Sequence, residues 1–131
     1  MLVKVKRPHL NKYFYEFPAG SLKSTKEKPL KAAKRELIEE TGVHIRKNTK
    51  FIKLPSIYSM ADRLQKPMFV YYINLKREQL NKNSYDKQEI SQIKLVNYFQ
   101  LKNMILKGQF SASVPIALLY MYLLKKKLTI K

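Results

Sequence analysis

Residues 16–43, EFPAGSLKSTKEKPLKAAKRELIEETGV, decide the reading of this chain. Five of the nine acidic residues of the protein fall within it: Glu16, Glu27, Glu36, Glu39 and Glu40. Everything around them is basic, so a knot of carboxylates here requires a cause. Pro29 suits the first turn of a helix and Gly42 a C-terminal stop, which predicts one helix over Pro29–Thr41. At 3.6 residues per turn, Leu30, Ala33 and Leu37 form the stripe expected to face the core. Glu36 and Glu40 lie beside that stripe, one turn apart, with Glu39 on the next strip of surface. The acids are therefore expected at the margin of the core, where a cleft can form.

Ordinary pairing along a helix accounts for two of them. Glu27 has Lys31 four positions on, and Glu39 has Arg35 four positions back. Glu36 and Glu40 have no such partner: the places three and four residues from them hold Ala32, Ala33, Leu37, Glu39, Val43, His44 and each other. Like charges at that spacing cost roughly a few tenths of a kcal/mol. A hard divalent cation turns the repulsion into coordination, because Mg2+ takes oxygen ligands and keeps waters and phosphate oxygens as well. This spacing, taken with the motif around it, favours a metal on Glu36 and Glu40 over a merely solvated face.

Gly20, Glu27 and Arg35-Glu36-Leu37-Ile38-Glu39-Glu40-Thr41-Gly42-Val43 closely resemble the Nudix box. In that family a glycine is followed by a glutamate and, after seven residues, by Arg-Glu-aliphatic-any-Glu-Glu-any-Gly-aliphatic. The spacing from Glu27 to Arg35 fits, as does every fixed position after it. One residue departs from the pattern: Ser21 to Lys26 places six residues between Gly20 and Glu27, where the family has five. The opening of the chain, an apolar strand, Arg7-Pro8 and then Glu16-Phe17-Pro18-Ala19-Gly20, resembles the ADP-ribose pyrophosphatase branch.

The resemblance implies an α/β fold, an α/β/α sandwich around a mixed β-sheet, and a Mg2+-dependent hydrolase (Mn2+ as a substitute) of nucleoside diphosphate derivatives. ADP-ribose, giving AMP and ribose 5-phosphate, leads. It implies Glu36 and Glu40 as principal metal ligands, Glu39 supporting them with a catalytic part, and the Ala19 carbonyl as a further ligand. Glu27 and Arg35 would interlock loop and helix behind the metal beside Gly20, and Arg7 would contact substrate phosphate, since a guanidinium fork matches phosphate oxygens. In relatives a later loop carries the general base; here Asp86 falls nearest that place, with Glu89 the alternative. Only nineteen residues precede Gly20, where relatives have a further strand. The expectation is a sheet short of one or more N-terminal strands, or an edge covered by a partner chain in a homodimer.

Outward from the box, 131 residues with 45% apolar content predict a single domain, residues 1–131, with a real core. There is no cysteine, which excludes disulfides and thiolate metal sites and suits a reducing cytoplasm. Met1 to Arg7 is too short and too basic for a signal peptide. The net charge of +18 favours polyanions, yet 22 of the 27 basic residues are lysines scattered through every segment. Nucleic-acid binding is therefore not the favoured reading.

Strands are expected at Leu2–Lys6, Tyr13–Phe17, Phe51–Leu54, Met68–Leu75 and Ile93–Val96. Lys76 to Ser91 reads as a loop. Tyr58 is similar to a downstream tyrosine of dinucleoside polyphosphate hydrolases, and Ser59-Met60-Ala61 lacks the Pro and Gly common in the ADP-ribose branch. Hydrolysis of dinucleoside polyphosphates or RNA 5′ ends is thus the alternative activity, and a non-catalytic polyanion-binding domain the alternative class. A short helix over Leu101–Leu106 should end at Gly108. A last one, capped by Ser113 with Pro115 in its first turn, should run buried through VPIALLYMYLL to Lys125-Lys126-Lys127. At eleven residues that run is too short for the ~20 that a membrane span needs.

Overall fold

The computed structural model describes residues 1–59, 67–80, 85, 87, 88 and 90–126. Among these residues, five strands and three α-helices follow in the order β1 (Leu2–Arg7), β2 (Lys12–Glu16), α1 (Pro29–Thr41), β3 (Phe51–Lys53), β4 (Tyr71–Ile73), β5 (Ile90–Lys94), α2 (Tyr98–Leu106) and α3 (Ser113–Lys125). This is the expected α/β content. Among the described residues the pairings are all antiparallel and form two sheets, β2-β1-β5 and β3-β4.

β1 and β2 make a hairpin because Pro8 starts a one-turn 3-10 helix over Pro8–Leu10, which Asn11 closes in the left-handed region at φ 47°. The hairpin places Lys4 opposite Tyr15 and Val3 opposite Glu16. β5 pairs with the other edge of β1, with a register shift between Lys4 and Val5. Residues with i, i+2 spacing share a face, so Leu2, Lys4 and Lys6 lie on one side of β1 and Val3, Val5 and Arg7 on the other.

The core gathers Leu2, Leu101, Met104 and Phe110, with Tyr15, Phe17, Val96, Ile105 and Leu119 packed around it. Phe110 is fully buried and meets Phe17 edge to face at 5.5 Å. α2 is held against this cluster by a reciprocal cap: the Gln100 backbone N–H donates to Asn97 Oδ1 and the Asn97 N–H to Gln100 Oε1. Gly108 follows at φ 68°, a conformation that favours glycine.

Several elements differ from the sequence expectation in instructive ways. Ser113 is already inside α3, and Ala112 holds the cap position without a side-chain hydrogen bond. α3 is not buried all round: Pro115 and Leu123 are buried, whereas Ile116, Tyr120 and Leu124 face out. The apolar run Met68–Leu75 gives a strand of only three residues, and Met68 instead forms an isolated bridge to Ile57. The segment expected as a loop from Lys76 contains a 3-10 turn, Arg77–Gln79. Buried Gln79 ties that turn to the chain leaving α1, donating to the His44 carbonyl while the His44 N–H donates to its own.

Candidate active site

α1 has the bounds read from the sequence. Pro29 occupies its first turn, and Gly42 ends it at φ 63° with its N–H donating to the Ile38 carbonyl. Its orientation is not the expected one. Leu30 is exposed and Ala33 and Leu37 are half-buried, whereas Ala32 and Glu40 are buried with Glu36 between them. The inward line is therefore Ala32-Glu36-Glu40, one residue per turn, and runs through the two carboxylates themselves. The rule that apolar residues mark the inner face fails here because the acids are satisfied internally.

Two backbone groups of the loop after β2 meet that line. The Ala19 N–H donates to Glu40 Oε2 at 2.9 Å. Gly20 lies so close to Glu36 that a Cβ placed on it would fall 1.9 Å from Glu36 Cδ. The sequence identified Ala19, Gly20, Glu36 and Glu40 separately, and the structure brings all four together.

Arg35 organises the other side. Its Nε donates to Glu27 Oε1 at 3.3 Å, its Nη1 to Glu36 Oε1 at 2.6 Å and Glu39 Oε2 at 3.0 Å, and its Nη2 to the Ser21 carbonyl at 2.9 Å. The pairing of Arg35 with Glu39 was expected. The pairing with Glu36 corrects the expectation that this acid has no basic partner in its own helix: the guanidinium fork reaches its sequence neighbour, a contact that spacing rules do not anticipate. Glu27 turns to Arg35, as the resemblance implied, and not to Lys31, and accepts a further bond from the Lys23 N–H at 2.6 Å. These donors, the Lys23 amide first and Arg35 next, hold the Glu27 carboxyl below the usual carboxylate range. The surrounding carboxylates push the Arg35 guanidinium up in turn, Glu27 foremost. Ser21 and Lys23 were not singled out in the sequence, because backbone groups of a loop leave no residue-type signal.

Glu39 sits on the rim, about half-exposed, with Lys23 Nζ at 3.7 Å from Oε1. Arg7 makes a two-point contact with Glu16, at 3.2 and 2.6 Å, across the β1–β2 pair. Any phosphate contact by Arg7 would be shared with that carboxylate. Asp86 and Glu89, the two general-base candidates, lie outside the described residues, as do Met60 and Ala61.

The donor set fits a hard divalent cation in chemistry and position: carboxylates on successive turns beside a loop whose backbone already touches them. It is not arranged as a closed cage. Among the described residues no three His, Cys, Asp or Glu side chains are placed to enclose a metal, since Arg35 draws Glu36 and Glu39 while Glu40 takes the Ala19 amide.

A model of the NUDIX domain matches residues 1–118, spanning the box, both sheets and the start of α3. The chain belongs to the Nudix family. Membership carries the family's reaction class, hydrolysis of a nucleoside diphosphate linked to another group. A search of curated proteins finds no significant match. In this Nudix domain the box glycine, glutamates and arginine are one connected structure, and no helix among the described residues is long and apolar enough to cross a membrane.

Proposed function

We propose that this Nudix domain is a Mg2+-dependent pyrophosphohydrolase whose leading substrate is ADP-ribose, cleaved to AMP and ribose 5-phosphate. The observation that supports it is the inward Glu36–Glu40 line of α1, bonded to the Ala19 amide and lying close against Gly20. A diphosphate is a shielded anionic electrophile, and attack on it by water requires that its charge be neutralised. A bound divalent ion supplies that neutralisation and lowers the pKa of a coordinated water. Glu36, Glu40 and the Ala19 carbonyl would hold it, with Glu39 supporting from the rim.

The chain's own residues supply placement. Arg35 restrains Glu36 and Glu39 and, through the Ser21 carbonyl and Glu27, fixes the loop that carries Ala19 and Gly20. Such supporting contacts typically matter 10- to 100-fold, roughly, in metal affinity or activity. Asp86 or Glu89 is assigned the water's proton, and Arg7 a substrate phosphate. A homodimer, from the resemblance, and a cytoplasmic location, from the absence of cysteine, belong to the same reading.

Product analysis with ADP-ribose, a dinucleoside polyphosphate and a 5′-triphosphate RNA, each with Mg2+ and with Mn2+, tests the reading. ADP-ribose should turn over fastest. Glu40→Gln, which keeps an acceptor for the Ala19 amide, should lower kcat more than about 100-fold with the melting temperature little changed. Equal turnover in that variant removes the site assignment. Faster cleavage of either other substrate replaces ADP-ribose, and no turnover of any of them leaves a binding domain.

A further inference from the structure

We infer that the open face of the β2-β1-β5 sheet, opposite the one that carries Arg7 and Glu16, binds single-stranded nucleic acid. The register fixes which side chains share this face. Lys4 stands between Tyr15 on β2 and Gln92 on β5, Lys6 is paired with Tyr13, and Leu2 with Lys94. The Leu2 end is covered, since Leu2, Tyr15 and Phe17 pack with α2 residues Leu101 and Met104 and with Phe110. The other end is open: Lys6, Tyr13 and Gln92 are exposed, and Tyr13 shows 51% of its surface.

Its composition is that of a polyanion-and-base surface. Lys4 Nζ lies 5.0 Å from the Tyr13 ring centre and 5.8 Å from that of Tyr15, and Lys94 Nζ lies 5.5 Å from Tyr15 on the other flank. The Tyr15 hydroxyl donates to Gln92 Oε1 at 2.8 Å, which holds that ring in place across the sheet. The one acid on the three strands, Glu16, belongs to the opposite face, where Arg7 holds it. Three lysines and two tyrosines without a carboxylate among them complement a phosphate chain whose bases need flat apolar partners. Bases stack on aromatic rings with little regard to sequence, while ammonium groups beside the rings meet the phosphates. A single strand suits the face better than a duplex, whose bases are already stacked on one another.

Fluorescence anisotropy with a labelled, unstructured RNA of about 12 nucleotides, in EDTA so that no metal-dependent cleavage contributes, reads this independently of the hydrolase assignment. Replacing Lys4, Lys6 and Lys94 together by Gln should reduce the slope of log affinity against log salt by about 2. A control of equal charge loss, Lys47→Gln, Lys50→Gln and Lys107→Gln, should reduce it by much less. Tyr13→Leu should weaken RNA binding about tenfold and leave inorganic polyphosphate binding unchanged, and Tyr13→Phe should retain both. The inference is overturned if the control triple matches the sheet triple, or if Tyr13→Leu shifts RNA and polyphosphate alike or shifts neither. Circular dichroism of each variant separates these outcomes from loss of fold.

Discussion

A methyl group on Gly20 would meet the Glu36 carboxyl carbon at 1.9 Å and both its oxygens at 2.3 Å, so Gly20→Ala must displace that side chain. Because the obstacle is the end of a flexible chain, the cost should fall on placement more than on folding. We expect the variant to lose activity by up to about 100-fold, as small misplacements in a reacting site can. Melting and activity measured together check this, and full activity would mean that Glu36 does not act from where it stands. Glu27 gives a pH prediction. Its folded pKa is depressed by the Lys23 amide and Arg35, so its contribution is complete above the ordinary Glu value of about 4.3 and disappears as pH falls through the lower folded value. Wild type should therefore melt above Glu27→Gln at neutral pH, and the two curves should converge on acidification below about 4. A constant gap down to pH 3 would mean that the ionised state of Glu27, held by the Lys23 amide and Arg35, contributes nothing.

At the scale of elements, the bounds of α1 were legible because Pro29 and Gly42 are constrained by backbone chemistry alone. Its facing was not. Periodicity assigns the inside to apolar residues, and Leu30, Ala33 and Leu37 were therefore expected nearer the core than Glu36 and Glu40, yet Leu30 is exposed and Glu40 buried. Three-dimensional partners, among them the Ala19 amide and the Arg35 guanidinium, make it possible to turn carboxylates inward. Ser113 shows the same limit at a cap: the residue type favours the position, yet α3 starts one residue earlier. α2 is the opposite case, its cap being made by side chains. Asn97→Ala removes the acceptor for the Gln100 N–H and should destabilise the protein by about 1 kcal/mol, measured by urea denaturation. An unchanged midpoint would show α2 to be held by Leu101 and Met104 alone.

Across the whole molecule, the hairpin of β1 and β2 joins the two proposed surfaces. One of its faces carries Lys4, Lys6 and the tyrosines, and its C-terminal end delivers Ala19 and Gly20 to α1. The family match over residues 1–118 covers this entire arrangement, and the box that carries it was readable from residue types at fixed spacing. The Glu27–Arg35 link was implied by the resemblance; what could not be read was the rest of the connection, because it passes through backbone groups of Ala19, Ser21 and Lys23. The central claim is that Glu36 and Glu40 together form the cation site. Mn2+ titration followed by electron paramagnetic resonance tests it most directly, comparing wild type with the double variant Glu36→Gln, Glu40→Gln. The account predicts saturable Mn2+ binding in wild type that the double variant loses while remaining folded. Identical binding curves for the two proteins would contradict it.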